Sequence, residues 1–339
     1  MGPPLTPTDR GGAGDRLGVV LAGCGGVASQ FHLRALRADP RADLVAIADP
    51  SPQVRDRLSG LDGVAIAADV RELLARDEVE AVVVCAPTPD HAELATTIAG
   101  AGRHLYLEKP VAMSLDGAAE VERATSSAAS VSAIGFNFRF NPLFGRLRDL
   151  VAGGALGEVR RVRTWLWEPA RIERMPSWRR SRETGGGVLL DLASHEVDLV
   201  RWVLGQEIAA VEDAEVESRA GEQDAARLEL RTDGGAAVSC SLSYGEGQLY
   251  RWEVEGTEAT MRLERWPPRL ARRRRPSSAR PSALAARLRG LPVPKREPSF
   301  ALALRAFVDR ALGGPSALPT IVDGRRSLEV VLAAEARAA

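Results

Sequence analysis

The feature that most constrains the fold is an alternation of short apolar runs with helical segments over the first 136 residues. The clearest run is AVVVC at residues 81–85, a β-branched stretch without polar alternation, as expected for a strand buried on both faces. Further short strands are predicted at residues 17–22, 44–48, 64–66, 104–107 and 131–136. Helices of about ten or more residues between successive strands are typical of βαβ units and a parallel sheet. Residues 17–136 are therefore predicted to form one doubly wound α/β domain.

The alternation of apolar runs and helical segments ends at residue 136, which suggests a second domain over residues 137–339. Glycines 185–187 are predicted to open a helix that ends at Gly205. Four extended segments then follow one another without an intervening helix, at residues 208–217, 227–231, 236–244 and 248–263. Consecutive strands favour an antiparallel or mixed sheet, and so an α+β domain. Helices at residues 299–312 and 323–337 are predicted to close the chain.

A basic, Pro/Ser-rich segment interrupts this second domain at residues 265–298. Residues 265–296 contain four consecutive arginines at 272–275 and no acidic residue. The segment could be a loop that binds nucleic acid or phosphate, or a solvated flexible insertion. Its only aromatic residue is Trp266, whereas single-strand binding surfaces usually present several aromatic rings. We therefore expect a flexible insertion and no nucleic-acid partner; residues 1–16 are likewise expected to be a disordered tail.

Charge and cysteine content exclude several classes of protein. The 45 basic and 45 acidic side chains balance, so no overall excess points to nucleic acid. Three cysteines lie far apart without a CxxC pair, which favours a reducing cytoplasm over a secreted disulfide scaffold. Neither they nor the four histidines are spaced for a metal site, so no metal is expected. No stretch approaches the roughly 20 apolar residues of a membrane span, so no membrane partner is expected.

The segment GCGGVA, from Gly23 to Ala28, fits the pattern G-x-G-x-x-G/A of dinucleotide-binding loops. A predicted strand precedes it, a helix follows, and Asp49 ends the second strand at the required distance. In this pattern Gly23 permits a tight turn, Gly25 admits the pyrophosphate, and Ala28 lets helix and strand pack closely. The phosphates would lie at the N-terminus of the helix that starts near Val27. Asp49 would bind the adenosine ribose and repel a 2′-phosphate, which favours NAD over NADP; a structural turn without nucleotide is the alternative.

Two further segments carry groups that could do chemistry. Lys109 follows the fifth strand, at the carboxyl edge where open α/β sheets bind ligands, although a lone lysine there is often only a solvated charge. Asp191 and His195 are four residues apart in a predicted helix, so their β-carbons are expected about 5–6 Å apart. They could act on one substrate group, or form an ordinary ion pair on a helix surface.

Taken in order, these motifs resemble the glucose–fructose oxidoreductase and inositol dehydrogenase (Gfo/Idh/MocA) family. The resemblance runs from Leu17 to the last helix, on the segments GCGGVA, ADP, APTPDH, EKP, GFNFRFNP and GGG…DxxxH. It implies a Rossmann domain followed by an open, mainly antiparallel sheet whose face often builds a homo-oligomer. It also implies a dinucleotide enzyme acting on sugars, cyclitols or related polyols. By the same resemblance Lys109 matches the catalytic lysine, and Asp191 and His195 match the acid–base pair. Some ketosugar reductases of the family carry Tyr in place of His195, so the histidine favours a dehydrogenase.

The resemblance extends the expected sites beyond these residues. The cofactor-binding set is Gly23, Gly25, Gly26, Val27, Ala28, Asp49, Pro87, His91, Glu108 and Lys109. The substrate-binding set is Lys109, Asn137, Arg139, Trp178, Asp191 and His195. Some have structural alternatives: His91 as a helix cap or packing residue, Trp178 as packing at the domain junction, and Asn137 with Arg139 as a hinge support.

We therefore expect an NAD-dependent dehydrogenase. The alternatives are a ketosugar reductase of a biosynthetic pathway and a non-catalytic regulator that binds NAD and a sugar.

Overall fold

The computed structural model describes residues 16–169, 175, 177–219, 221–265, 268–273 and 297–339. Its N-terminal domain is built on a six-stranded, entirely parallel sheet in the order β3-β2-β1-β4-β5-β6. The strands are β1 Leu17–Ala22, β2 Ala42–Ala48, β3 Ala65–Ala67, β4 Ala81–Val84, β5 His104–Leu107 and β6 Ser132–Ile134. The order reverses between β1 and β4, and ligands bind at such a switch point, outside the carboxyl ends of the strands. The predicted doubly wound domain is confirmed.

Helices cover both faces of this sheet. The first begins as a π-helix, Ala28–His32, and continues as α1. The helices are α1 Leu33–Ala38, α2 Pro52–Leu58, α3 His91–Gly100 and α4 Leu115–Ser126, with 3₁₀ turns at Val70–Glu72 and Thr88–Asp90. Asp69 caps the 3₁₀ turn Val70–Glu72, and Glu72 returns a hydrogen bond to the Asp69 backbone to complete a capping box.

The second domain contains a seven-stranded sheet in the order β13-β12-β11-β7-β10-β9-β8. Its strands are β7 Val159–Glu168, β8 Ile208–Glu217, β9 Ala225–Thr232, β10 Ala237–Tyr244, β11 Leu249–Gly256, β12 Thr260–Arg265 and β13 Pro268–Arg273. Only the β7–β10 pair is parallel, so the sheet is mixed and mainly antiparallel, as predicted.

Helices of the second domain pack on one face of this sheet and connect it to the first. They are α5 Pro142–Ala152, α6 Ser177–Arg180, α7 Ser194–Leu204, α8 Ser299–Ala311 and α9 Ile321–Ala338. The 3₁₀ helix Asn137–Phe140 precedes α5, and the 3₁₀ helix Arg182–Thr184 follows α6. The π-helix Leu189–Ala193 leads into α7. Leu304, Phe307 and Val308 of α8 are buried in the core of the first domain. α9 packs on both α4 and β8, so the last two helices hold the domains together. Among the described residues, no helix has the length and apolar character that crossing a bilayer requires.

Two predicted segments of the second sheet differ from the structure. Residues 248–263 form two strands rather than one, because a hairpin turn reverses the chain and Gly256 bonds to Ala259. Residues 268–273, within the predicted flexible insertion, form the edge strand β13, where Leu270 faces Leu263 and packs against the core. Residues 266–267 and 274–296 of the predicted basic insertion lie outside the described residues. Residues 1–15 of the predicted tail lie outside them as well.

Candidate active site

The loop after β1 has the geometry that a bound dinucleotide needs. Gly23 has a φ of 79°, in the left-handed region, and a Cβ there would lie 2.6 Å from the backbone nitrogen of Ala86. Only glycine satisfies both conditions. A Cβ on Gly25 or Gly26 would meet no described heavy atom within 4 Å, so the loop surface is clear there. With Ala28 packed in the core, the loop fits a pyrophosphate at the N-terminus of the first helix.

Asp49 closes the other side of this loop. Its Oδ2 accepts a hydrogen bond from the backbone N–H of Cys24 at 2.7 Å, and its Oδ1 accepts one from Ser51 at 2.9 Å. A carboxylate offers about four acceptor sites, so these bonds leave it able to accept from ribose hydroxyls. The acceptor group at this edge therefore fits the ribose hydroxyls of NAD, and the backbone bonds hold Asp49 in place.

Lys109 and Asp191 meet across the cleft between the two domains. Lys109 follows the carboxyl end of β5, and its Nζ lies 2.5 Å from Asp191 Oδ1 and 3.0 Å from the main-chain oxygen of Asp191. Asp191 lies in the π-helix before α7, whose start requires the glycines: Gly187 has a φ of 86°, and a Cβ on Gly186 would lie 2.3 Å from the carbonyl oxygen of Arg179. The first domain thus supplies the ammonium group and the second supplies its carboxylate.

Two residues that the sequence analysis did not identify complete this centre. Arg179 Nε and the hydroxyl of Tyr244 each donate to Asp191 Oδ2 at 2.5 Å. Arg179 also bonds to Glu168 at 2.7 Å, and its guanidinium lies 5.0 Å from the Tyr244 ring centroid. Burial raises the pKa of Asp191, but the charges of Arg179 and Lys109 and the hydrogen bonds outweigh it and hold the pKa well below its usual range. Asp191 is therefore a fixed anion that orients Lys109.

His195 lies beside this centre without sharing its hydrogen bonds. Its ring centroid is 4.5 Å from that of Phe138 and 6.5 Å from that of Phe136, and its Nδ1 is shielded from solvent with no hydrogen-bond partner among the described residues. Burial, and then the positive charge of Lys109, lower the pKa of His195 well below its usual range. The imidazole is therefore neutral at neutral pH, as a general base must be.

A cavity of about 350 Å³ lies at the end of β7 and the start of β11, and Arg179 is among the residues that line it. It reaches Arg179 at one side and Tyr250 at the other, and the Tyr250 ring packs 5.4 Å from Phe138, the neighbour of His195. Its lining residues are Leu166, Trp167, Glu168, Pro169, Arg179, Gln248, Tyr250 and Arg265. Polar and aromatic side chains therefore line a cavity that can take a small polar molecule, and Arg179, which bonds to Asp191, links it to the centre.

Comparison with known families agrees with this geometry. Residues 17–136 match the model of an oxidoreductase family with an NAD-binding Rossmann fold, Gfo/Idh/MocA. Residues 144–262 match the C-terminal domain of the same family. The chain belongs to the Gfo/Idh/MocA family of oxidoreductases. The resemblance seen in the motifs, the two-domain fold and NAD as the cofactor are thereby confirmed.

Individual relatives of this Gfo/Idh/MocA chain point the same way. The myo-inositol 2-dehydrogenase of Thermotoga maritima is 30% identical over 253 residues, which is 72% of this chain and 73% of the relative. The inositol 2-dehydrogenase of Rhizobium meliloti is 29% identical over 256 residues, which is 73% of this chain and 76% of the relative. The crystal structure of GenD2 from gentamicin A biosynthesis, in complex with NAD, superposes with a TM-score of 0.82 at 29% identity, covering 99% of this chain and 97% of GenD2.

Asn137 and Arg139 of this Gfo/Idh/MocA protein bond to side chains in distant parts of the second domain. The amide of Asn137 donates to Ser299 at 2.9 Å, at the start of α8, and the side chain is 1% exposed. Arg139 donates two hydrogen bonds to the Asp198 carboxylate, from Nε at 2.9 Å and from Nη2 at 2.5 Å. Its Nη2 also lies 3.1 Å from the Asp323 carboxylate. These contacts fit the hinge alternative, and the expectation that Asn137 and Arg139 bind substrate hydroxyls stays a prediction.

His91 and Glu108, which the resemblance places among the cofactor-binding residues, contact neighbouring backbone and side-chain groups, and their role at the cofactor stays a prediction. His91 is buried, with Nδ1 2.6 Å from the carbonyl oxygen of Pro110 and Nε2 2.9 Å from that of Ala86. The ring therefore lies between the loops after β4 and β5 and can donate to one of these two carbonyl oxygens. Glu108 Oε1 lies 2.7 Å from Nε2 of the buried His32 in the first helix, and its Oε2 accepts from the backbone of Lys109.

The remaining expected residues lie at the rim of the site. Gly25, Gly26, Val27 and Pro87 are exposed around the carboxyl edge of the first sheet, where the roles assigned to them stay predictions. Trp178 is half-buried on α6, and it is the next residue, Arg179, that reaches Asp191.

Proposed function

We propose that this chain catalyses reversible hydride transfer between NAD(H) and a hydroxyl-bearing carbon of a sugar, cyclitol or related polyol. The observation that carries the proposal is the meeting of Lys109 and Asp191 beside a neutral His195, at the carboxyl edge of the NAD-binding domain. The names of the inositol dehydrogenase relatives support a polyol substrate. A protein that only binds NAD and a sugar would have no need of such a proton-transfer group.

In the oxidation direction, His195 accepts the proton of the substrate hydroxyl. Lys109, whose side chain is 13% exposed, stabilises the negative charge that develops on the substrate oxygen, and such a contact is strong where it is shielded from solvent. Asp191 holds the Lys109 ammonium through both its side chain and its main chain, while Arg179 and Tyr244 keep Asp191 ionised and fixed. The nicotinamide supplies the hydride acceptor when it is bound. The same groups in reverse would protonate a ketone that is being reduced.

A spectrophotometric panel tests the proposal. Purified protein is mixed with NAD⁺ and each of a set of cyclitols, aldoses and polyols, and NADH formation is followed by absorbance; matching ketones are tested with NADH. Turnover of at least one polyhydroxylated compound is expected. Tight NADH binding with no turnover of any compound in either direction would instead favour a non-catalytic binding protein.

We expect Asp49 to determine the choice of cofactor. Asp49→Asn should weaken NADH binding roughly 10-fold and narrow the preference for NADH over NADPH, because hydrogen bonds to a charged acceptor and repulsion of a 2′-phosphate are both lost. Fluorescence titration with each cofactor measures the effect. Asp62→Asn, an exposed carboxylate of the same domain, is the matched control. Wild-type protein that binds NADPH more tightly than NADH would contradict this role for Asp49.

We also propose that the chain forms a homo-oligomer through the outer face of the second sheet. The inner-facing residues Val162 and Leu166 of β7 are buried under the helices, whereas Trp165 and Trp167 on the opposite face are half-buried. Light scattering should report a dimer or larger species, and Trp165→Glu should shift it toward a monomer. Arg37→Glu, an exposed change in the first domain, should leave the mass unchanged; a monomeric wild-type protein would refute the proposal.

A further inference from the structure

Glu196 is a buried carboxyl group that the mechanism above does not use. It follows His195 directly in α7 and is 0% exposed. Both of its carboxylate oxygens are shielded from solvent, and neither makes a hydrogen bond of ordinary geometry with a described residue. A buried charge without direct partners is costly, so such a group requires an explanation.

Three polar groups of the second sheet converge on this carboxyl. They are the hydroxyls of Thr164 on β7 and Tyr250 on β11, and the indole N–H of Trp252 on β11. Each is likewise buried without a hydrogen-bond partner of ordinary geometry among the described residues. These four polar groups face one another and form a polar island between α7 and the sheet.

This island forms the back of the cavity wall. Tyr250 lines the cavity on one side and faces Glu196 with its hydroxyl. The Arg265 guanidinium lies 5.4 Å from the Tyr250 ring centroid and 4.4 Å from that of Phe138, and it pairs with Glu297. The Phe138 ring in turn packs against the ring of His195. Glu196 is thus linked to His195 in two ways: through the packed rings of Tyr250 and Phe138, and through the charge of Arg265, which acts on both groups.

We propose that Glu196 is a positioning residue of the reaction: when protonated it is a neutral hydrogen-bonding support for the cavity wall, and when ionised its charge offsets that of Arg265 beside His195. The proposal rests on the proposed function of His195 as the general base. It assigns to α7 two adjacent groups with different tasks, one in the cleft and one behind its wall.

The titration of this carboxyl falls in the working range. Burial raises the pKa of Glu196 to about 7, although the polar groups of Thr164, Tyr250 and Trp252 and the charge of Arg265 lower it. The titratable or charged groups that face it are Cys240 on β10, Tyr250 on β11 and Arg265 on β12. Arg265 lowers the pKa of His195, so ionised Glu196 should raise it again and make His195 a stronger base. His195 itself titrates well below this range, so a change near pH 7 would report Glu196.

Selective labelling of the four histidines tests, without a substrate, whether ionisation of Glu196 affects His195. In an NMR titration, the His195 resonance, assigned with His195→Gln, should show an inflection near pH 7 that is absent in Glu196→Gln. Tyr250→Phe should move the inflection to higher pH, because it removes a group that favours the ionised form. Glu215→Gln, an exposed glutamate on β8, is the matched control and should keep the inflection. An inflection that survives in Glu196→Gln, or its absence in wild type, overturns the proposal.

Thermal unfolding shows independently whether Glu196 exchanges a proton in the native state. Its native pKa is above the ordinary value of 4.5, so the stability it contributes is present at low pH and is lost as pH rises through about 7. Glu196→Gln and wild type should therefore melt alike below pH 4.5, and the variant should melt at a higher temperature above pH 7. A constant difference over this range overturns proton exchange at Glu196, whether or not any polyol is a substrate. Failure of the polyol panel with both results intact would instead refute only the proposed reaction.

Discussion

Lys109→Met is expected to lower turnover by about 10³-fold at saturating NAD⁺ and substrate. Lys109 is the cation closest to where the substrate oxygen must lie, and Asp191 holds it from two directions. Methionine keeps the length and most of the volume of the side chain but cannot stabilise an alkoxide. The fold should tolerate the change, because Asp191 keeps its contacts with Arg179 and Tyr244 and so is not left as an unpaired buried charge.

Two measurements separate this effect from misfolding. NADH affinity, measured by fluorescence, should change little, because the loop at Gly23 and the carboxylate of Asp49 lie at another part of the first domain. Lys109→Arg should recover little activity, because a planar guanidinium cannot replace the compact ammonium that fits between two oxygen atoms of Asp191. Turnover of Lys109→Met within tenfold of wild type would exclude Lys109 from the chemistry.

The first domain was the most predictable part of the chain, because its signals are local. The run at residues 81–85 is apolar on both faces, and the structure places β4 at Ala81–Val84 in the middle of a parallel sheet. Gly205, predicted to end a helix, adopts the left-handed conformation at the end of α7. Boundaries moved by one or two residues where helix ends depend on capping rather than on apolar periodicity.

Side-chain partners were less predictable, because they join distant parts of the chain. The partners of Asn137 and Arg139 lie 162 and 59 residues away, at Ser299 and Asp198. A motif can show that Asn and Arg are present beside a site, but not which distant side chains they bond to. The spacing of Asp191 and His195 likewise did not show their partners: a π-helix precedes α7, and the hydrogen bonds of the Asp191 carboxylate go to Lys109, Arg179 and Tyr244.

Arg179 and Tyr244 left only weak signals in the sequence. The chain has three tyrosines, and two of them, Tyr244 and Tyr250, lie at the site. Tyr244 is the last residue of β10, and Arg179 belongs to a run of basic residues just before the glycines at 185–187. A rare residue at a strand end and an arginine run beside a flexible turn both indicate a site, but only the fold shows that they converge on one carboxylate.

His195→Ala is expected to lower the rate of alcohol oxidation by roughly 10²–10⁴-fold, the usual contribution of a positioned general base. Oxidation needs the unprotonated imidazole, and burial with the charge of Lys109 lowers the pKa of His195 well below 6.5. The base is therefore already available at neutral pH, and its contribution to the rate should disappear only at acidic pH, as the ring takes up a proton. A pH profile of kcat should show this acidic decline in wild type and lose it in His195→Ala.

The strongest test of the catalytic unit combines both changes. If His195 removes the proton while Lys109 stabilises the charge that this removal creates, neither group is of much use without the other. The double variant Lys109→Met/His195→Ala should then be far less impaired than the product of the two single effects, as found for residues that act together. Steady-state turnover of the four proteins with one confirmed polyol gives the coupling directly. Single effects that multiply in the double variant would show that Lys109 and His195 act on separate steps, and near-normal activity in both single variants would remove them from the mechanism.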